Sequence, residues 1–143
     1  MPHIHRSALV PFSAHSMYEL VNDVKRYPEF IPGCSDSRID EQSDTEMQAS
    51  LLVTKAGLKQ WFTTLNHLTP GRAIRMDLSK GPFQSLKGGW TFTPLSEDAC
   101  KIELDLTFEF ENRMIEAAFG KVFKSLTTNM VNAFTQRARK VYA

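Results

Sequence analysis

The sequence contains few cysteines and no long apolar run. Cys34 and Cys100 are the two cysteines among 143 residues, and neither has a neighbour at metal-site spacing, so we expect two free thiols. No stretch of about eighteen apolar residues occurs, which excludes a transmembrane helix. The N-terminal sequence MPHIHRSALV lacks the apolar region of a secretory signal and is too short for a transit peptide. We therefore expect a cytoplasmic protein.

The sequence also lacks the motifs of common catalytic sites. It has no Gly-rich phosphate loop, no HExxH and no GxSxG sequence. His3 and His5 have no carboxylate or third histidine near them in sequence, and we interpret them, His15 and His67 as surface groups. A formal net charge of +1 does not favour a DNA-binding protein. We expect a protein that is not an enzyme and requires no cofactor.

The segment from Val10 to Cys34 predicts a strand end, a short helix and a turn at one end of the core. Ser13 is typical of a helix N-cap. The apolar stripe of that helix comprises Met17, Leu20, Val21 and Val24. Tyr27-Pro28 stops the helix, because a residue before proline is disfavoured in the α conformation. Phe30 and Ile31 then lie between two proline bends, where they can close one end of the core.

After Cys34 the pattern changes from helical to alternating, and from Met47 onward it is typical of half-buried antiparallel strands. The clearest alternation places one apolar set on a single face: Ile102, Leu104, Leu106, Phe108 and Phe110. A shift of one residue would turn that whole face outward, so we expect a fixed register. Gly88 and Gly89 lie within another strand and permit it to bend.

The region from Arg113 to about Tyr142 predicts one long helix. It contains no proline, and its apolar residues recur every three or four positions: Ile115, Phe119, Val122, Leu126, Met130 and Phe134. At 1.5 Å per residue, this helix is about 40 Å long, and it alone is large enough to cover an antiparallel sheet. We predict one α+β domain spanning residues 1–143, in which a curved antiparallel sheet of about six or seven strands wraps around the helix. This helix-grip arrangement encloses an apolar cavity.

Positive charge is concentrated on the same helix. Against Glu116 alone, it carries Arg113, Lys121, Lys124, Arg137, Arg139 and Lys140. The pattern is typical of a solvated outer face, and it also fits a face that docks on RNA or on an anionic membrane surface.

Four segments carry a resemblance to a known family. They read VPFSAHSMYELVNDVKRYPEFIPGC, AGLKQWFTTLNHLTP, IRMDLSKGPFQSLKGGWTFTPL and CKIELDLTFEFENRM, in that order along nearly the whole chain. They resemble the coenzyme Q-binding START-like family, which is related to polyketide cyclases and dehydrases and includes a bacterial ribosome association toxin branch. The sequence differs from many members in having Gly33 where they have Trp. The resemblance implies a helix-grip (START/Bet v 1-like) fold around a hydrophobic tunnel.

The resemblance implies two functions. Mitochondrial members bind ubiquinone and support respiration, so the first expectation is a lipid-binding protein that holds ubiquinone or another isoprenoid quinone as a ligand. For the tunnel lining we expect Phe30, Ile31, Met76, Leu78, Trp90, Leu104, Leu106, Phe119, Phe123 and Met130, with the first two at a mouth. The alternative is a ribosome association toxin that binds the large ribosomal subunit and blocks subunit joining and translation initiation. Its contact residues would be Lys121, Lys124, Arg137, Arg139 and Lys140.

Overall fold

The computed structural model describes residues 3–55 and 57–142 of the chain. Within them, the strands are β1 (His3–Val10), β2 (Cys34–Gln42), β3 (Glu46–Lys55), β4 (Leu58–Thr69), β5 (Ala73–Lys80), β6 (Phe83–Ser96) and β7 (Ala99–Phe110). Helix α1 (Ala14–Asn22) and a 3₁₀ helix (Val24–Glu29) lie between β1 and β2. Helix α2 (Arg113–Tyr142) follows β7, with the bounds that the sequence predicts.

The strands form one antiparallel sheet in the order β1-β7-β6-β5-β4-β3-β2. Strands β2 to β7 are neighbours in chain order, whereas β1 pairs with β7 from His3 opposite Thr107 to Val10 opposite Cys100. The sheet is curved, and α2 packs its apolar stripe against the inner face. The α+β helix-grip fold is therefore confirmed.

Strand β7 supplies the centre of the core in the predicted register. Its inward residues are all buried: Cys100, Ile102, Leu104, Leu106, Phe108 and Phe110. Its outward residues include Asp105 and Glu103, whose carboxylates lie 2.8 and 3.2 Å from Nε2 of His3 and His5 on β1. The two histidines are exposed, as predicted, but the sheet gives each a carboxylate partner that lies far away in sequence.

Gly88 and Gly89 bring β6 close to both neighbouring strands. Their φ angles are 141° and 154°, where residues with side chains are strained. A Cβ at Gly88 would lie 1.9 Å from the carbonyl oxygen of Asp105 in β7, and one at Gly89 would lie 2.1 Å from that of Ile74 in β5. Only glycine fits at either position, which agrees with the predicted bend.

Helix α1 begins as predicted but ends earlier. Ser13 Oγ accepts a hydrogen bond from the backbone N–H of Ser16 at 3.0 Å. The α-helix stops at Asn22, and the next turn is a 3₁₀ helix that contains Pro28. The prediction of one α-helix up to Tyr27 is wrong at this end, because the backbone leaves the helical conformation at Asp23, where φ is −84° and ψ is 68°. The Tyr27 hydroxyl donates to the carbonyl of Val21 and ties the turn to α1.

Strand β2 has no counterpart in the sequence pattern. It forms an edge of the sheet, and Cys34 is the one buried residue along it. Its register with β3 shifts between Cys34 and Asp36 and again between Ile39 and Glu41. Because these bulges interrupt the two-residue period and most side chains face solvent, no alternating apolar signal marks the strand.

Candidate functional site

A small apolar cavity lies between the inner face of the sheet and α2. Its free volume is about 50 Å³, whereas pockets for organic ligands hold about 300–1,000 Å³. The wall consists of Val24, Tyr27, Ala49, Leu51, Phe62, Thr64, Asn66, Met76, Leu86, Trp90, Leu106, Phe123, Leu126, Thr127 and Met130. In this conformation the space admits small molecules such as water, and a larger ligand requires the walls to separate.

Aromatic side chains occupy much of the interior around the cavity. One cluster packs with ring centroids 4.8–6.3 Å apart and comprises Phe62, Phe83, Phe108, Phe110 and Phe123. A second packs at 5.2–6.3 Å and comprises Tyr27, Phe30, Trp90 and Phe134. Most of these contacts are edge-to-face, the arrangement that aromatic quadrupoles favour. The aromatics that the sequence offers as possible ligand walls are therefore largely engaged with one another.

Polar side chains interrupt the apolar wall at two places. The hydroxyl of Thr64 donates to Oδ1 of Asn66 at 2.7 Å, and both residues are buried on β4. On α2, the hydroxyl of Thr127 donates to the Phe123 carbonyl at 3.0 Å. None of these polar residues is among those predicted from the sequence. A signal was present, because Thr64 and Asn66 share the alternation of the inward-facing Phe62 and Leu68.

Half of the residues predicted to line a tunnel lie on the cavity wall. These are Met76, Trp90, Leu106, Phe123 and Met130. Leu104 is fully buried on the inward face of β7 but is not part of the wall, and Leu78 is half-buried on β5. Phe119 lies beside a separate, smaller void next to Phe83. Alternation predicts the face of the sheet on which a residue lies, but it does not predict whether that residue is level with the cavity.

Phe30 and Ile31 do not form a mouth of the cavity. Ile31 is buried in the core, and the Phe30 ring packs 5.3 Å from the ring of Phe134. The Phe30 ring therefore packs against α2, and neither residue is part of the cavity wall. Gly33 has a φ of 90°, and a Cβ there would lie 3.6 Å from Leu126 Cδ1. The Cβ atom of a side chain at this position would therefore be in contact with α2.

The buried ionisable groups are poor candidates for catalysis. Burial raises the pKa of the Tyr27 phenol far above its usual range, so its hydroxyl stays protonated and donates to Val21. Burial also raises the pKa of the Cys34 thiol to about 11 and raises that of Cys100. Both thiols are free, as predicted, and their protonated forms are weak nucleophiles. Among residues 3–55 and 57–142, no three His, Cys, Asp or Glu side chains form a metal-binding group.

The outer face of α2 is the second candidate site. We define it by the exposed polar residues Lys121, Lys124, Asn129, Asn132, Gln136, Arg139 and Lys140. Four are cations, three are amides, and no Asp or Glu follows Glu116 in the sequence. Some cations outside α2 have an acidic neighbour, as Arg38 does with Asp40 at 2.8 Å.

Arg137 differs from the other cations predicted to contact a ribosome. Its guanidinium donates to Glu29 at 2.8 Å and lies 4.9 Å from the centre of the Phe30 ring. Hydrogen bonds from Arg26 and Arg137 lower the pKa of the Glu29 carboxyl. In the described part of the chain, Arg137 is the one cation of α2 in an ion pair. It fastens α2 to the 3₁₀ helix, so we leave it out of the outer face.

Comparison with known proteins links this architecture to named relatives. Residues 10–135 match the family described as polyketide cyclase/dehydrase and lipid transport. The ribosome association toxin RatA of Vibrio cholerae is 62% identical over 142 residues, covering 99% of each chain. RatA of Escherichia coli K12 is 57% identical and covers all of this chain and 90% of its own. The mitochondrial coenzyme Q-binding protein COQ10 of Drosophila melanogaster is 27% identical over 94% of this chain and 57% of its own.

Solved structures share the fold at low sequence identity. The ZhuI aromatase/cyclase from Streptomyces sp. R1128 superposes with a TM-score of 0.84 at 19% identity, covering 97% of this chain and 94% of its own. A START superfamily protein from Mycobacterium smegmatis gives 0.72 at 20% identity, covering 94% and 97%. Such similarity establishes the fold and not the activity. No helix within the described residues has both the length and the apolar character to cross a bilayer.

Proposed function

The chain belongs to the polyketide cyclase/dehydrase and lipid transport family, and on that premise we propose that it is a ribosome association toxin. The observation that carries the proposal is the 62% identity to a protein of that name over 99% of both chains. The relative named for coenzyme Q binding is far more distant, at 27% identity. The sequence alone favours quinone binding over ribosome association. The segments that the family shares do not distinguish its quinone-binding members from its toxin branch.

The interior supports a binding role more than a catalytic one. Its polar groups are hydroxyls and an amide, and its two thiols and the Tyr27 phenol are protonated at neutral pH. An aromatase or cyclase requires groups that transfer protons to and from a substrate. We therefore propose that the protein acts by binding and does not catalyse a reaction. In this proposal it works in the cytoplasm, binds the large ribosomal subunit and hinders its joining to the small one.

Sedimentation of ribosomal subunits tests this function. The full-length protein is mixed with separated subunits, which are then allowed to join before centrifugation through a sucrose gradient. We expect the protein to migrate with the large subunit and the amount of joined ribosome to fall as protein is added. A basic protein of unrelated fold and similar size is the control for non-specific charge attraction. Migration with neither subunit, or joining unaffected by the protein, would contradict the proposal.

We also propose that the cavity binds a hydrophobic molecule, with an isoprenoid quinone such as ubiquinone as the first candidate. Support comes from its mostly apolar wall and from the similarity to the coenzyme Q-binding protein. The free volume of about 50 Å³ requires that α2 and the sheet separate when the ligand enters. Binding at this site and ribosome association use different surfaces, so one does not exclude the other.

Tryptophan fluorescence and native mass spectrometry test ligand binding. Trp90 lies on the cavity wall, whereas Trp61 lies under the Arg38 guanidinium at 4.7 Å. In a Trp61→Phe variant, Trp90 is the one remaining tryptophan. We expect added ubiquinone to quench its emission, and we expect protein purified from its own host to carry a lipid. Unchanged emission together with a ligand-free mass would reject this proposal.

A further inference from the structure

We propose that the outer face of α2 binds double-helical RNA. The inference rests on the proposed ribosome association and identifies the molecular surface and the class of partner for it. The first observation is the distribution of charge. Lys121, Lys124, Arg139 and Lys140 are exposed, and none forms an ion pair with another described residue. After Glu116 the sequence offers no carboxylate to neutralise them.

Folding accounts for only part of this composition, because Arg139 and Lys140 lie in the last turn of α2, where cations interact favourably with the helix dipole, whereas Lys121 and Lys124 do not. Solvent-exposed helix faces commonly mix charges of both signs, because Glu and Lys three or four positions apart stabilise a helix while like charges destabilise it. The outer face forgoes this stabilisation along most of α2. An excess of one sign instead attracts a partner of opposite charge and speeds its encounter.

The geometry of the helix spaces the cations for an extended polyanion. Lys121 and Arg139 are eighteen positions apart, which equals five helical turns, so both point in the same direction. At 1.5 Å per residue, they are separated by about 27 Å along the axis. Amide side chains fill the interval between them: Asn129, Asn132 and Gln136. The face is therefore cationic at both ends and rich in hydrogen-bonding groups in the middle.

The amides favour RNA over the alternatives. Each amide both donates and accepts hydrogen bonds, as does the ribose 2′-hydroxyl, which the wide, shallow minor groove of an RNA duplex displays. A membrane-bound amphipathic helix needs an exposed apolar face beside its cations. Between Lys121 and Lys140 the apolar stripe of α2, including Phe123, Met130 and Phe134, is buried against the sheet, and the exposed large apolar side chains of the helix are at its two ends: Met114, Val141 and Tyr142. Exposed apolar contact therefore cannot anchor this part of α2 in a bilayer.

Binding measurements with defined probes test the inference. A short fluorescein-labelled RNA duplex, a DNA duplex of the same sequence and anionic phospholipid vesicles are titrated with the full-length protein. Four phosphate contacts predict that affinity for RNA falls by about 150-fold between about 50 and 200 mM salt. We expect weaker binding to DNA, which lacks the 2′-hydroxyl. Binding to vesicles with none to RNA would overturn the inference in favour of a membrane surface.

Two variants with matched charge locate the contact. The outer-face variant carries K121E, K124E, R139E and K140E. The sheet variant reverses four exposed cations outside α2, as R6E, K59E, R72E and K87E, and has the same net charge. We expect the outer-face variant to lose RNA binding by at least about 100-fold and to lose most of its salt dependence. Equal losses in both variants would show that only net charge matters and would overturn the inference.

A third variant separates the amides from the cations. The changes N129A, N132A and Q136A preserve charge and affect exposed helical positions. We expect the affinity for RNA to approach that for DNA while the salt dependence stays unchanged. A preference for RNA equal to that of the unmodified protein would rule out the assigned role of the amides.

Ribosome sedimentation of the same proteins distinguishes the two proposals. If the unmodified protein and the outer-face variant both migrate with the large subunit, ribosome association stands and the assigned surface is wrong. If the unmodified protein migrates with neither subunit, ribosome association fails, and the duplex titration still decides whether this face binds RNA. Each protein is first checked by circular dichroism, so that loss of fold is not read as loss of binding.

Discussion

The inner face of α2 packs Phe123, Met130 and Phe134 against the sheet, whereas its outer face holds Lys121, Asn132 and other polar groups in solvent. On the inner face each side chain has many apolar neighbours, and the remaining cavity measures only about 50 Å³. The outer-face residues contribute little packing and concentrate charge of one sign. The comparison teaches that the two faces serve different purposes: the inner face stabilises the fold, and the outer face is available to a partner.

The largest expected effect comes from removing an aromatic ring from the inner face of α2. Phe134 is fully buried and contacts the rings of Tyr27, Phe30 and Trp90. Phe134→Ala leaves a cavity, so we expect the free energy of unfolding to fall by about 3–5 kcal/mol. Two positions along the helix, Gln136→Ala on the outer face should change it by less than about 0.5 kcal/mol. Urea denaturation measures both, and similar losses would contradict the division between the faces.

A smaller effect is expected from the polar pair inside the cavity. Asn66→Leu leaves the Thr64 hydroxyl without its acceptor, which should cost about 1–3 kcal/mol of unfolding free energy. Adding Thr64→Val removes the unsatisfied hydroxyl as well, so the double variant should be close to the unmodified protein in stability. Thermal and urea unfolding of the two variants complete the test. A double variant no more stable than the single one would show that the polar wall has another structural role.

Arg137 connects α2 to the 3₁₀ helix through Glu29, and its replacement should change the stability of the protein in a way that depends on pH. The pKa of Glu29 is lowered in the folded protein, so its interactions stabilise the fold above its ordinary pKa of about 4.5 and are lost as pH falls through the folded pKa. We expect Arg137→Met to lower the Tm by a few degrees at neutral pH. That difference should shrink below pH 4.5. Calorimetry across this range measures it, and a difference independent of pH would assign the loss to packing on Phe30.

The smallest effect is expected at the middle of the outer face. Asn132→Ala replaces a weak helix former by the strongest one, so stability should rise by up to about 0.7 kcal/mol. A gain would sharpen the comparison, because it would show that the native amide is not the most stabilising choice. Thermal denaturation of the Asn132→Ala variant, compared with that of Gln136→Ala, provides the measurement. A clear loss of stability would mean that Asn132 makes structural contacts.

Much of the fold could be predicted because its central elements carry strong periodic signals. The alternation from Ile102 to Phe110 predicts β7 and its buried face, and the apolar stripe predicts α2. Strand β2 could not be predicted, because an exposed edge strand with bulges has no apolar period. The turn at Pro28 shows a further limit, since a proline signals the end of an α-helix but does not specify the conformation of the next turn.

The candidate site was less predictable than the fold. Periodicity places Met76 and Leu78 on one face of β5, but only Met76 lies on the cavity wall. The cavity volume depends on how the phenylalanines fit together, and a one-dimensional pattern contains no such information. The partner of Arg137 is Glu29, 108 positions away. Distances of this kind follow from the sheet order and cannot be found from local sequence.

The pairing of the first strand with the last has a consequence for the order of folding. The His3 and Asp105 side chains meet from positions 102 residues apart, so β1 cannot join the sheet until β7 has been synthesised. Closing such a long loop is slow, and folds dominated by distant pairings fold more slowly than those with local contacts. Helix α2 comes later still, so the apolar inner face stays uncovered in the growing chain. The nascent protein therefore completes its core only when α2 is available.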